Sequence, residues 1–430
     1  MPACGEPSPS RQVMPFAHQR WINGLQSVPD AFGRPALLAW SYDGRVCLWD
    51  AQTGANIAAI EHERVVEHAA WIADVNGQSA ILSSSAYARH VRLTVLPHCD
   101  VVDFNTPGYT SSFMQALWVP ELLGRPCVLC WQYRHGVTLW DAASGEELKF
   151  RPAMVWGAAW STELRSVLYW SNRAEQDTAW PERNIALWTP ETDECRVYQF
   201  PGHIEFPIFD ADGRLNRHSG DGAMLVSSGL QAPAVLGWSS NGLVGLWDAL
   251  TTQAIAPFIR HHAPVLGASW VADTPCGPAI LSWSLDGRVM LCPISTGRPF
   301  LSASLDGAAK GAAYVAAMEP CILAWSDRGD LQLCSRIEND AASMAQFKHA
   351  RSIGGATWLS NVSGRPAILS WADDSTVRLA RAATGNVICS FGLDERPTAL
   401  ILLPSQQPDA VSFAVGCRSG SIGVFDFVDR

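Results

Sequence analysis

Apolar and polar positions along this chain repeat one phrase. Pro35 to Gly54 reads PALLAWSYDGRVCLWDAQTG: an apolar run, a short polar turn, a second apolar run and another turn. Near-copies stand at 126–145, 233–252, 278–297 and 366–385, and weaker ones at 80–95, 166–190, 320–334 and 410–427. Nine units at a period of roughly forty residues indicate a stacked or closed repeat architecture.

Each apolar run predicts a short strand. In the first copy Leu37 to Trp40 and Arg45 to Trp49 flank Ser41-Tyr42-Asp43-Gly44. Asp-Gly between β-rich runs signals a hairpin, because glycine accepts the positive φ of such turns. Asp286-Gly287 repeats it and Asn241-Gly242 is its chemical equivalent. Thr53-Gly54, Ser144-Gly145, Thr296-Gly297 and Thr384-Gly385 mark a second turn, leading into strands such as Asn56 to Ile60. A further strand completes each unit, at Val65 to Ile72, Phe113 to Val119, Val265 to Val271 and Ile353 to Leu359. Four short antiparallel strands per unit form the blade of a β-propeller. The expected fold is all-β: a single closed propeller of nine four-stranded blades, or eight if the weak units at 80–104 or 410–430 are irregular.

The third strands end in Trp-Asp at 49–50, 140–141 and 247–248, with Val424-Phe425-Asp426 as a weakened version. In these residues the chain resembles the WD40-repeat family, over residues 11–430. The resemblance implies a ring that binds other proteins. It also implies a "Velcro" closure, with Arg11 to Phe16 supplying the outer strand missing from the last unit and residues 1–10 left as a disordered segment. The chain departs from the family pattern in two ways. Gly-His survives only at Gly202-His203, with lone histidines at 18, 62, 262 and 349, and the third-strand Trp is lost in later units, where Leu291, Leu333 and Leu379 end the strand. The polar tetrad that braces many WD40 blades is thus expected to be incomplete, with blade 1 (His18, Ser41, Asp43, Trp49) the candidate for an intact one. Phrases such as Val265-Leu-Gly-Ala-Ser-Trp resemble the WD40 arrays of bacterial signalling and conflict-response proteins, which implies an effector, here as a separate chain.

Tryptophan is a second periodic device. It recurs in second strands at 40, 131, 170, 238, 283, 325 and 371, and in innermost strands at 71, 118, 160, 270 and 358. Placement at the strand period assigns these rings to packing between blades. Only Trp21, Trp156 and Trp180 fall outside the period. They are the residues a carbohydrate-binding reading would use.

The net charge is −10 with no basic cluster, which argues against nucleic acid as a partner. No run of about eighteen apolar residues predicts a membrane span. MPACGEPSPSRQ lacks the apolar core of a secretory signal. Twelve scattered cysteines fit a reducing, cytoplasmic setting.

Catalytic constellations are sparse, so no enzyme activity, metal or cofactor is expected. Cys127-x-x-Cys130 stands on a predicted strand without a second pair. His62-Glu63 and Glu67-His68 resemble a zincin, but the spacing is wrong and the segment is a strand start. Asp210, Asp212 and Asn216 have partial calcium-loop spacing, which an Asp-Gly turn also explains. His261-His262 precede an innermost strand as turn histidines.

The irregular spacings are more informative. The step from Trp170 to Trp238 is much longer than the period, because 201–222 is inserted between blades 4 and 5, and a smaller insertion, 172–183, separates the second and third strands of blade 4. Both connection types emerge on one face of a blade. Insertions on a rigid scaffold are where binding residues concentrate, though loops also grow without acquiring a role. Their arginines and aromatics are of the types favoured at interface hot spots: Arg173, Trp180, Arg183, Phe206, Phe209, Arg214 and Arg217. These are the candidate partner-binding residues. A second patch, from the turns of blades 2 and 3, comprises Arg89, His90, Tyr133, Arg134 and His135. It suits a protein contact or, in the alternative reading, a rim pocket for a small ligand or an enzyme.

Overall fold

The computed structural model describes residues 10–12, 18–85, 90–105, 114–132, 135–153, 155–171, 185–201, 222–317, 319–337, 340–404 and 410–428. Within them the chain forms nine four-stranded antiparallel sheets, each built from strands consecutive in sequence except the last. Blade 1 is Ile22–Val28, Ala36–Ser41, Arg45–Asp50 and Asn56–Glu61, from the channel outwards. Inner strands of successive blades lie against one another, except that the inner strand of blade 6, Val265–Val271, lies against the second strand of blade 5, Ala234–Trp238; Ile22–Val28 lies against Pro397–Leu403 of blade 9, which closes the ring. The weak units at 80–104 and 410–430 both form regular blades. The outer strand of blade 9 is Ser10–Gln12, paired with Ile422–Val428. His18 then donates its N–H to the Gly420 carbonyl of blade 9 at 3.0 Å before the chain enters blade 1.

The hydrophobic patterns explain where the core sits. Second and third strands are buried on both faces, so they read as nearly unbroken apolar runs, such as Ala36–Ser41 and Leu243–Asp248. Outer strands alternate, as in Asn56–Glu61, where Ala58 and Ile60 are buried and Asn56 and Ala59 exposed. The buried residues fall into nine clusters, one in each blade-to-blade interface. The ring-closing cluster joins Leu37 and Trp49 of blade 1 to Ala414 and Val424 of blade 9. Each fully buried Leu, Val or Ile contributes about 1.5–3 kcal/mol, so every interface carries comparable weight.

The Trp-Asp aspartates cap turns. Asp50 Oδ1 accepts the N–H groups of Gln52 and Thr53 at 2.9 and 2.8 Å, and Asp141 and Asp248 repeat this in blades 3 and 5. At the hairpin turn Gly44 has φ 84°, and a Cβ there would stand 2.6 Å from the His62 carbonyl, so the position admits only glycine.

Some element bounds differ from expectation. The inner strand of blade 2 is His68–Val75 rather than Val65 to Ile72, because Val66 is buried in the preceding loop with its N–H on the Ser41 carbonyl. Leu291, Leu333 and Leu379 do not end their strands, which run on to Pro293, Ile337 and Arg381. The residues in register with Trp49 are Cys292, Cys334 and Ala380.

Candidate functional site

Both long connections start from one rim. The second strand of blade 4 ends at Trp170 and its third begins at Ile185, which pair directly; Ile185 also pairs with Tyr198 at the end of the outer strand. The chain re-enters blade 5 at Gly222, paired with Trp238. Residues 172–184 and 202–221 thus leave and rejoin the same edge of two adjacent blades. The candidate residues Arg173, Trp180, Arg183, Phe206, Phe209, Arg214 and Arg217 lie outside the described residues, as do Asp210, Asp212 and Asn216. What the structure defines is their support: Phe200 packs edge-on against Trp247 at 4.9 Å, and the buried Tyr198 hydroxyl donates to the Ala249 carbonyl at 2.7 Å.

In the second patch Arg89, Tyr133 and Arg134 lie outside the described residues. The two described members are engaged separately. His90 stacks on His62 at 4.9 Å, with His62 Nδ1 and His90 Nε2 2.9 Å apart. His135 packs on Phe150 of its own blade at 4.7 Å.

The histidines that precede the inner strands form a repeated tie between blades. The backbone N–H of His62, His261 and His349 bonds a turn glycine of the preceding blade, Gly44, Gly242 and Gly329. Their Nε2 atoms reach a second-strand serine of the next blade: Ser83, Ser282 and Ser370, at 2.8, 2.8 and 2.9 Å. Burial first, then the neighbouring His90 and Arg92, lowers the pKa of His62 to about 3. Burial brings that of His261 to about 4 and also lowers that of His349, against the nearby Asp374.

Blade 1 is not the intact tetrad. His18 Nδ1 contacts Asp43 at 3.1 Å, but Ser41 donates to the Arg20 carbonyl instead, and among the described residues His18 Nε2 has no partner. The reason is register: Ala39 occupies the position that Ser370 holds in blade 8. Blade 8 has the fuller network, Asp374, Thr376, His349 and Ser370, with Ala380 in place of the tryptophan. Burial works to raise the pKa of Asp43, but the hydrogen bonds from His18 and the Gln19 N–H outweigh it and bring it to about 2.

The other motifs disperse. Cys127 and Cys130 are both buried but fall into different interface clusters, on opposite faces of their strand. His68 packs on Trp40 at 5.8 Å, away from the His62 partners. Among the described residues no group of three or more His, Cys, Asp or Glu is placed to hold a metal. Trp21 lies under the Arg418 guanidinium at 3.8 Å and beside Tyr42, whereas Trp156 belongs to blade 4 and Trp180 lies outside the described residues.

One periodic feature was missed in the sequence. Six second-strand tryptophans pair across the sheet with an inner-strand glycine: Gly24 with Trp40, Gly157 with Trp170, Gly222 with Trp238, Gly267 with Trp283, Gly311 with Trp325 and Gly355 with Trp371. The indole covers the glycine so closely that a Cβ would stand 2.0–2.3 Å from a ring carbon. Three residues after this column a half-buried aromatic recurs: Trp71, Trp118, Trp160, Trp270, Tyr314 and Trp358. Each packs against the preceding blade. Blades 1, 5 and 9 carry Ser27, Leu225 and Leu402 in that position. The visible signal was the recurring phrase Gly-Ala-x-Trp.

No protein-family model matches the chain. It is 26% identical over 194 residues to mouse guanine nucleotide-binding protein subunit beta-like protein 1, a match that spans 43% of this chain and 59% of the relative. Among solved structures it is similar to a crystal structure of the computationally designed Ika8 protein, with a TM-score of 0.55 and 14% identity over 96% of this chain and 98% of that one. The designed protein bears on the fold alone. The nine-bladed ring, its Trp-Asp repeats and this partial relative together support a WD40-type propeller.

Proposed function

We propose that this WD40-type propeller is a non-enzymatic scaffold or sensor subunit that holds another protein against the rim of blades 4 and 5. The observation that carries this reading is the exit geometry. Two connections longer than any others between described strands leave one edge of adjacent, rigidly packed blades. Arg173, Trp180, Arg183, Phe206, Phe209, Arg214 and Arg217 are the residues proposed to meet the partner, since arginine and aromatic side chains dominate interface hot spots. The partner is taken to be a separate chain, in the finer reading a bacterial signalling or conflict-response effector met in the cytoplasm. Because a propeller fold hosts many functions, the proposal rests on these connections and not on the fold.

Replacing 202–221 by a short Gly-Asn turn tests it. The strands on either side, Glu194–Tyr198 and Gly222–Val226, lie outside the exchanged segment, so circular dichroism and melting temperature are expected to stay unchanged. Affinity for the protein captured from the native host is expected to fall at least tenfold. Undiminished affinity in the folded variant would move the contact elsewhere.

A further inference from the structure

The aromatic column of the inner strands is absent from blades 1, 5 and 9, where Ser27, Leu225 and Leu402 stand, and at blade 5 a cleft opens. In six blades an aromatic ring fills the corner between the inner strand and the preceding blade. Leu225 is shorter, and beside it lies a cavity of about 320 Å³ between blades 4 and 5. Trp160 forms its apolar wall, with Leu225 opposite. Ser161, Thr162 and Ser227 supply hydroxyls, and Glu163 supplies a carboxylate. The cleft opens on the rim opposite the two long connections. Inner strands run from the rim of those connections towards the turns at 162–165 and 227–233 that border the cleft.

Charge indicates what fits. Glu163 is exposed and, among the described residues, forms no ion pair. The neighbouring Arg165 is already held by Glu191 at 2.7 Å. The same pattern runs around this rim. The far ends of the inner strands and the turns after them carry exposed Asp30, Asp74, Glu121, Glu163, Asp273 and Glu319. Arg34 and Arg125 on those turns are paired with Asp50 and Asp141, at 3.4 and 2.8 Å, and blade 8 carries Arg365. An acidic rim attracts a basic partner over a Debye length. A cleft with an indole wall and a carboxylate suits a cation that has both a flat face and an apolar stem.

We propose that the cleft between Trp160 and Leu225 seats an arginine side chain from a basic segment of a protein partner, with the guanidinium on the Glu163 carboxylate and its stem along the Trp160 indole. This rests on the reading of the chain as a protein-binding scaffold and adds a second contact, on the opposite rim. Guanidinium is favoured over ammonium because its planar fork meets a carboxylate through two hydrogen bonds and stacks on an aromatic face.

The test uses the full chain and a labelled peptide, Gly-Ser-Arg-Gly-Arg-Ser-Gly, read by fluorescence anisotropy at low salt. The control peptide has citrulline at both arginines, which keeps shape and removes charge. The arginine peptide is expected to bind, and the citrulline peptide at least tenfold more weakly. Leu225→Trp restores the aromatic that six other blades carry, so it is expected to fill the cleft, keep the fold and abolish binding. Glu163→Gln, on an exposed turn, is expected to weaken binding at least tenfold without changing the melt. Absence of binding to the unmodified chain, equal binding of the citrulline peptide, or unchanged binding by Leu225→Trp would each overturn the proposal. None of those results touches the 202–221 exchange, so the two readings fail separately.

Discussion

The pairing of glycine with tryptophan in blade 6 yields a prediction whose sign depends on its partner. Gly267 and Trp283 are cross-strand neighbours, and a Cβ on Gly267 would lie 2.2 Å from the indole Cζ2. Trp283 in turn packs in the cluster that joins Leu281 and Leu291 of blade 6 to Ala309 and Ile322 of blade 7. Gly267→Ala therefore cannot be accommodated without displacing a ring wedged between two blades. Overpacking of this kind costs about 1–3 kcal/mol. Trp283→Ala removes the ring altogether and costs about 3–5 kcal/mol. Once the ring is gone the glycine has no reason to be there. Adding Gly267→Ala to Trp283→Ala is expected to be neutral or to stabilise by about 0.5–1 kcal/mol, because alanine gives up less backbone entropy in a strand. The cycle thus predicts a coupling of about 1–4 kcal/mol. Urea melts of the four proteins, followed by tryptophan fluorescence and far-ultraviolet circular dichroism, measure it. Equal destabilisation by Gly267→Ala with and without Trp283 would refute the argument, since the glycine would then be needed for its backbone and not for the indole above it.

Three further outcomes follow from the same structure. His62 and His261 have folded-state pKa values lowered to about 3 and about 4, so their contribution is fully present above about pH 6.5 and is lost as pH falls towards those values; melting temperature is expected to drop from pH 7 to pH 5, at about 1.4 kcal/mol per unit per histidine, and His261→Asn to flatten that slope. Asp141→Ala leaves the Ala143 and Ser144 N–H groups and Arg125 without their acceptor and is expected to cost about 1–2 kcal/mol in denaturant melts, whereas Glu146→Ala on the same turn is expected to cost less than about 0.5. Deleting residues 1–16 removes Ser10–Gln12 and exposes the edge of Ile422–Val428, so size-exclusion chromatography is expected to show association that the full chain lacks, and a monomeric truncated protein with an unchanged melt would contradict that role for the strand.

How much of this was legible in the sequence depends on whether a residue acts within one repeat or between two. Blade number, hairpin turns and the tryptophan columns all lie inside a repeat, where a period of about forty residues exposes them directly. The tetrad of blade 1 was misread for the opposite reason. His18, Asp43 and Trp49 are present, but the serine must sit at the position of Ala39, and Ser41 two residues on faces the Arg20 carbonyl. An alternating strand turns a shift of one residue into a change of face, and such a shift placed Leu291, Leu333 and Leu379 where Cys292, Cys334 and Ala380 stand. The glycine under each tryptophan was in view as Gly-Ala-x-Trp, yet its purpose depends on a residue about sixteen positions later on the neighbouring strand. The cleft at Leu225 is detectable only by comparing inner strands with one another, because one leucine in an apolar strand is unremarkable by itself.

The histidines bear on why function is sought at the rims. His62, His261 and His349 have the composition of catalytic groups: imidazoles next to serines, with a carboxylate near each, Asp103, Asp286 and Asp374. Their geometry gives them another role. In each, the backbone N–H grips the blade before and the ring grips the blade after, so the side chain crosses an interface and is fixed at both ends. Burial holds them neutral at pH 7, and their serine partners sit buried in second strands, out of reach of a substrate. A Ser-His pair serves acyl transfer only when the hydroxyl is exposed to an electrophile. Here it serves to keep three of the nine interfaces in register. The same rigidity suits a docking surface, because a partner meeting a rim fixed by such ties loses less free energy in ordering it. The residues free to vary are then those beyond the ties: the long connections on one rim and the acidic turns on the other.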